Sequence, residues 1–384
     1  MKINELPTPF YIVYEDRLRK NLSLIERVSR EAGVSIIMAF KANALWRTFP
    51  IFREYGVRCT ASSLNELRLG REFLTDEVHS YCPAYTEATF PEYLEGSSHI
   101  TFNSLGQWRK FGAALKEYNE RTGRHVSPGL RVNPRCSVIA TDLYNPALPC
   151  SRFGASAEEL ADGLPEGIEG LHFHALCESS SHDLARVLAA FEAQFGHLLP
   201  HLKWVNMGGG HIMTRADYDC DHLVQLLRGF KERYPNLQVI LEPGSAFTWR
   251  TGDLVASVVD IIENDGIKTA ITDVSFACHM PDTLEMPYKP SITESLGDDP
   301  VPGKPTYRLG GNSCLSGDFM GDWSFECPLK EGDRLTLEDM NHYTTVKTNM
   351  FNGIQHPDIV FCNDDGDCSY IRRFTYDDYK NRMS

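Results

Sequence analysis

The sequence predicts an α/β protein: a (β/α)8 barrel of TIM type over residues 15–252, and an all-β domain over 253–384 that takes in the N-terminal strand within 1–14. Two observations carry this. Eight short apolar runs of strand type recur between residues 35 and 244, most of them separated by helical stretches. Over about 220 residues that is the rhythm of such a barrel. After Thr251 the rhythm changes to short strand-like runs divided by Gly, Pro and Asp clusters, with no long helical period. Strand counting alone leaves a doubly wound open sheet as the competing architecture.

In chain order, residues 8–14 (TPFYIVY) alternate aromatic and β-branched types and read as a strand. From Asp16 the apolar positions Leu18, Leu22, Ile25 and Val28 define one face of a helix, which Gly33 ends. The first barrel strand is SIIMAFKAN at 35–43, and the others are predicted at 57–63, 78–84, 99–104, 126–133, 170–177, 204–210 and 238–244. Ser63-Leu-Asn-Glu66 and Ser156-Ala-Glu-Glu159 have capping-box form and predict helix starts. The β domain is predicted from the runs at 253–262, 268–273, 306–309, 334–337 and 358–361, together with 10–13.

Hydrophobic residues make up 42% of the chain and charged residues 23%, an ordinary globular balance. There are 38 basic and 52 acidic residues, a formal charge of -14 that opposes nucleic-acid binding and mildly favours small cationic partners. No stretch is long and apolar enough for a membrane, and Met1-Lys2-Ile3-Asn4-Glu5 lacks the pattern of a secretion signal, so a cytoplasmic protein is expected. The 11 cysteines are scattered without the close pairs of a zinc site; no metal is expected, and the odd count fits reduced thiols better than a disulfide framework.

In barrels of this type functional groups gather at the carboxyl ends of the strands. Here those ends are polar: Lys41 and Asn43 on the first, Arg131 and Asn133 on the fifth, His172, His174 and Cys177 on the sixth, Gly208-Gly209-Gly210-His211 on the seventh, Glu242-Pro243-Gly244 on the eighth. A solitary amine at a strand mouth is a covalent-site candidate, because burial favours its neutral, nucleophilic form; the alternative is a lysine that snorkels into water. A triple glycine after the seventh strand suits an anion such as phosphate, or is simply a flexible turn. Together, lysine, phosphate cradle and carboxylate match what pyridoxal 5'-phosphate requires.

The chain resembles the fold-type III pyridoxal-phosphate decarboxylases, the group of the ornithine, diaminopimelate and carboxynorspermidine decarboxylases. The motifs that carry this are AFKAN at 39–43, SRFG at 151–154, HFHALCES at 172–179, NMGGG at 206–210, LEPG at 241–244, GGNSCLSGD at 310–318 and NHYTTV at 341–346. Within the group, GGNSCLSGD and ACHMPDTLEMPYKP at 277–290 are most similar to the carboxynorspermidine and carboxyspermidine decarboxylases. The resemblance implies that Lys41 holds the cofactor as a Schiff base and that His174 stacks on its ring. It further implies that Gly208, Gly209 and Gly210 bind the phosphate with Tyr343, and that Glu242 pairs with the ring nitrogen. Cys314 is implied as the acid that protonates the quinonoid carbon after carbon dioxide leaves, and the loop carrying Cys314 and Asp318 as reaching the site from the second subunit of a homodimer.

Two departures bear on the substrate. Leu315 stands where ornithine and diaminopimelate decarboxylases carry an acid after the cysteine, and Ser245 stands where they carry arginine. A longer substrate with distal amines needs acceptors elsewhere, for which Asp282 and Glu285 are candidates, with Asp273 and Glu178 behind them. Arg152 either neutralises the substrate carboxylate or forms a salt bridge nearby. The implied reaction is decarboxylation of carboxynorspermidine or carboxyspermidine in polyamine synthesis. The alternatives are a diaminopimelate- or ornithine-type decarboxylase, an amino-acid racemase on the same scaffold, and a cofactor-carrying binding protein.

Overall fold

The computed structural model describes residues 1–139 and 141–384. The chain divides into two compact units, one of residues 21–247 and one of residues 1–20 with 248–384.

The first unit is built on a parallel sheet with strand order Ser35–Ile36, Gln238–Leu241, Trp204–Asn206, Gly170–His172, Ser127–Arg131, Ser97–Phe102, Val78–Tyr81, Cys59–Ala61 and Met38–Ala39. The two ends of this list are one continuous run of chain. Ile37 separates them: its N–H donates to Leu241, whereas the Met38 N–H donates to Arg58. The predicted first strand therefore serves both its neighbours by switching partner halfway, which closes a barrel and removes the open-sheet alternative.

The helices follow their sequence signals. Glu15–Ala32 buries Leu18, Leu22, Ile25 and Val28 and ends at Gly33, whose φ of 66° suits glycine. The side chains of Ser63, Ser104 and Ser180 accept the N3 amide and cap Leu64–Phe73, Leu105–Thr122 and Ser181–Phe195. One expectation is corrected. The box at Ser156 and Glu159 does form, but it opens only the three-residue turn Glu158–Leu160. Gly163, with φ of 101°, and Pro165 follow at once and prevent propagation. Among the described residues, the crossover from Arg131 to Gly170 thus carries no α-helix.

One large side chain packs against two glycines of neighbouring barrel strands. Trp204 lies against Gly129 and Gly170 of the two preceding strands, where an added Cβ would come within 2.2 Å and 2.0 Å of its ring. Its indole N–H donates to the Ser127 hydroxyl, which donates in turn to Glu169, so the polar tip is satisfied. His99 meets the indole edge-on at 5.4 Å and stacks on His79 at 3.9 Å. Burial pushes His99 down to about 4 and His79 well below the usual histidine range, so the pair is neutral.

The second unit is an eight-stranded sheet ordered Phe319–Ser324, Thr306–Gly310, Ile267–Thr272, Gly252–Asn264, Phe10–Tyr14, Asp358–Cys362 and Cys368–Arg372, with Arg334–Leu337 pairing to Gly252–Asn264 off this path. The N-terminal strand is inserted between Gly252–Asn264, to which it runs antiparallel, and Asp358–Cys362, to which it is parallel. Leu6, Phe10, Ile12, Val255 and Val360 form its core. Phe319–Ser324 and Cys368–Arg372 go beyond the sequence expectation: Gly321 and Asp322 break the apolar alternation of the first, and the second is short and follows an acidic turn. The expectation of reduced thiols is corrected at one pair. Cys362 and Cys368 stand directly opposite each other, with Cα atoms 4.0 Å apart, and are joined. No helix among the described residues is long and apolar enough to cross a membrane.

Replacing Gly170 by alanine forces a methyl group into the Trp204 ring. It is expected to lower unfolding stability in urea by about 3 kcal/mol. Combination with Trp204→Phe should cost less than the sum of the two. A Gly170→Ala protein as stable as the parent would remove the role assigned to Trp204.

Candidate active site

A cavity of about 560 Å³ in the barrel unit is lined by Lys41, Arg131, Arg152, His172, His174 and Glu242, among others. Lys41 follows the strand Met38–Ala39, and its amine lies 3.4 Å from His174 Nε2. Burial lowers the Lys41 pKa, and the Arg131 charge adds to this; Glu242, Cys177 and Glu66 oppose it. The Gly209 N–H donates to His174 Nδ1 over 3.0 Å. An amide can only donate, so the imidazole accepts at Nδ1, and its neutral form carries the proton on Nε2, facing Lys41. Burial, with Lys41 and Arg131 nearby, holds His174 well below the usual range and hence neutral.

Glu242, beyond the strand Gln238–Leu241, is 9% exposed. Its Oε1 lies 2.8 Å from His172 Nε2 and its Oε2 accepts from Asn206 Nδ2 over 3.0 Å. Burial raises its pKa, but pairing with His172, the Asn206 bond and the Lys41 charge outweigh that and pull it down to about 2. Glu242 is therefore an anion throughout the neutral range. Strand register produces this group: His172 aligns with Asn206, and Asn206 with Ile240, two residues before Glu242 and on the same face.

The glycine turn is closed around these groups. Gly208 has φ of 71°, and a Cβ there would stand 2.5 Å from the Phe173 carbonyl oxygen; at Gly210 it would stand 2.3 Å from that of Leu176. The Gly208 N–H donates to Asn206 Oδ1 and that of Gly209 to His174. Arg131 is an addition to the residues assigned from sequence. Its buried guanidinium lies over the rings of Tyr81 and Phe153 at 4.7 Å and 4.4 Å and donates to the His174 carbonyl. Its place at a strand end was legible, but its stacking partners lie far away in the chain. Glu66, legible only as part of a helix start, accepts from the Ser62 N–H, and burial raises its pKa.

Other candidates are distributed as follows. Arg152 is exposed, lies over Phe153 at 4.2 Å and forms no ion pair among the described residues. Glu178 is exposed in a turn with φ of 47°, outside the cavity wall. In the β unit, Cys314 is exposed and its N–H donates to Asn352 Oδ1 over 2.8 Å. The buried Asp318 carboxylate accepts from the amides of Ala277 and Ser313 and so braces the cysteine loop. Asp282 and Glu285 both bind the Lys347 ammonium, Asp282 at 2.6 Å. Asp273 accepts from the Ser257 N–H, and burial raises its pKa. Tyr343 has φ of 50°.

With its pKa lowered, Lys41 in cofactor-free protein is expected to undergo reductive methylation at pH 7 several-fold faster than surface lysines, read by peptide mass spectrometry. Equal rates would contradict the lowered pKa of Lys41.

Residues 11–341 match the family model described as "Pyridoxal-dependent decarboxylase, C-terminal sheet domain". The carboxyaminopropylagmatine decarboxylase of Synechocystis sp. is 44% identical over 100% of this chain and 97% of its own length. The carboxynorspermidine/carboxyspermidine decarboxylase of Campylobacter jejuni is 41% identical, covering 100% of both chains. A crystal structure of carboxynorspermidine decarboxylase from Campylobacter jejuni, complexed with norspermidine, superposes with a TM-score of 0.89 at 39% identity, covering 98% of this chain and 100% of that one. The chain therefore belongs to the pyridoxal-dependent decarboxylases, and its cofactor is pyridoxal 5'-phosphate.

Proposed function

We propose that the protein decarboxylates carboxynorspermidine or carboxyspermidine to norspermidine or spermidine. The observation that carries this is one cavity holding a lysine of lowered pKa, a neutral histidine beside it and a buried carboxylate held ionised. These residues fit the cofactor: Lys41 would bond its aldehyde carbon, His174 would lie on its ring, and Glu242 would pair with its ring nitrogen. The Gly208–Gly210 turn would take its phosphate through the Gly210 N–H, since those of Gly208 and Gly209 donate to Asn206 and His174, with Tyr343. When bound, the cofactor supplies the electron sink that lets carbon dioxide leave.

The protein's own groups do the rest. Glu242, anionic in the neutral range, would hold a proton at the cofactor's ring nitrogen and so favour electron withdrawal. Cys314 Sγ delivers a proton to the substrate carbon as general acid. Arg152, with no ion pair among the described residues, orients the substrate carboxylate. Asp282 and Glu285 are the candidates for the distal amines of the substrate, which would have to displace the Lys347 ammonium that both carboxylates bind. Such an enzyme works as a cytoplasmic homodimer in which the loop of Cys314 and Asp318 serves the partner's site. A second substrate, carboxyaminopropylagmatine, is favoured by the 44% identity to the Synechocystis relative; it differs at the distal end, where a planar guanidinium replaces an ammonium.

Lys41→Ala is expected to lack the visible absorbance of lysine-bound cofactor; an unchanged spectrum would sink the assignment. Cys314→Ala should lose at least about tenfold in kcat, as expected on removal of a general acid. A wild-type rate would remove the proton-donor role. Carbon dioxide release from carboxynorspermidine, carboxyspermidine, carboxyaminopropylagmatine, diaminopimelate and ornithine, assayed side by side, identifies the substrate. Highest kcat/KM on either of the last two would overturn the polyamine reading.

A further inference from the structure

We propose that Asn206 is a positioning residue that couples the Glu242 carboxylate to the glycine turn, so that one side chain sets both ends of the cofactor site. This rests on the readings of Glu242 and of the turn given above. Asn206 is 3% exposed and ends the strand Trp204–Asn206. Its Oδ1 accepts from the Gly208 N–H over 2.8 Å, and its Nδ2 donates to Glu242 Oε2 over 3.0 Å. The Gly208 N–H can only donate, so the atom facing it is the amide oxygen, and the nitrogen is left facing Glu242. That orientation requires Glu242 Oε2 to accept. The backbone closes the same link, because the Glu242 N–H donates to the Gly208 carbonyl over 2.7 Å.

No other side chain of this size does both tasks. Aspartate offers Gly208 an acceptor but repels Glu242, and alanine offers neither contact. The distinction separates a positioning role from simple packing. The charged and titratable groups that act on Glu242 are His172, Lys41, Arg131 and Tyr81. An Asn206→Asp exchange leaves all of them in place and adds one carboxylate beside Glu242. Two adjacent carboxylates bind a shared proton tightly, so the pair ionises fully only at higher pH.

The test uses purified holoenzyme and its cofactor-free form. For N206D, kcat is expected to gain an acid limb absent from the parent, falling about tenfold from pH 8.5 to pH 6. For N206A, the dissociation constant for pyridoxal 5'-phosphate, read by fluorescence of the cofactor-free protein, is expected to rise about tenfold, with N206D between it and the parent. Should N206A fail to fold, the pH profile of the near-isosteric N206D carries the test. A parental pH profile in N206D, or a parental cofactor constant in folded N206A, overturns the proposal. E242Q separates the two readings: full kcat in E242Q removes the role of Glu242 itself, whereas the cofactor constant of N206A still reports the coupling.

Discussion

A single buried carboxylate governs the construction of this cavity. An isolated anion in a protein interior takes up a proton unless donors and cations hold it ionised. Glu242 has His172 on one oxygen and Asn206 on the other, with Lys41 and Arg131 nearby. None of these contacts is local in sequence; they exist because three neighbouring parallel strands end level with one another. A slip of one residue in either register would turn the partner side chain to the opposite face of the sheet. Barrel closure and the charge state of the site are therefore one problem.

The same economy of charge explains the two imidazoles. Lys41 and Arg131 already bring two basic groups into a small volume, and a third cation there would raise the electrostatic cost steeply. His172 and His174 are both depressed by burial, and each directs its Nε2 at a charged or nucleophilic group, Glu242 in one case and Lys41 in the other. The Gly209 amide fixes the tautomer of His174, so the turn that follows the seventh barrel strand also sets the environment of the lysine on the first. Glycine is needed there because the turn runs close against the backbones of Phe173 and Leu176.

Local signals made much of this legible. The rhythm of apolar runs, the serine caps and the polar strand ends come from periodicity and capping chemistry within a few residues, and Lys41, His174 and Glu242 stand out at the strand ends for that reason. Features that depend on distant partners were not legible. The partner switch at Ile37, the stacking of Arg131 between Tyr81 and Phe153, and the two-sided bond of Asn206 each join residues far apart in the chain. The Ser156 box shows the opposite failure. The local signal was real and the bonds formed, yet glycine and proline just downstream left nothing to propagate. Acidic residues were the hardest to read. Asp318 turned inward to brace a loop, and Asp282 and Glu285 gathered around Lys347, which composition alone could not distinguish from solvated surface charge.

Overall charge and local charge point in opposite directions here. The chain carries a formal charge of -14, a field that at long range attracts cations and repels anions. Inside the cavity the balance differs: Lys41, Arg131 and Arg152 line it together with two carboxylates, Asp142 and Glu242, and the histidines contribute no charge. Within a low-dielectric wall, nearby charges dominate over the screened distant ones. The two fields then act at different stages of binding. A molecule with several amines and one carboxylate is drawn in by the first field and oriented by the second, whereas a plain polyamine without the carboxylate gains only the first.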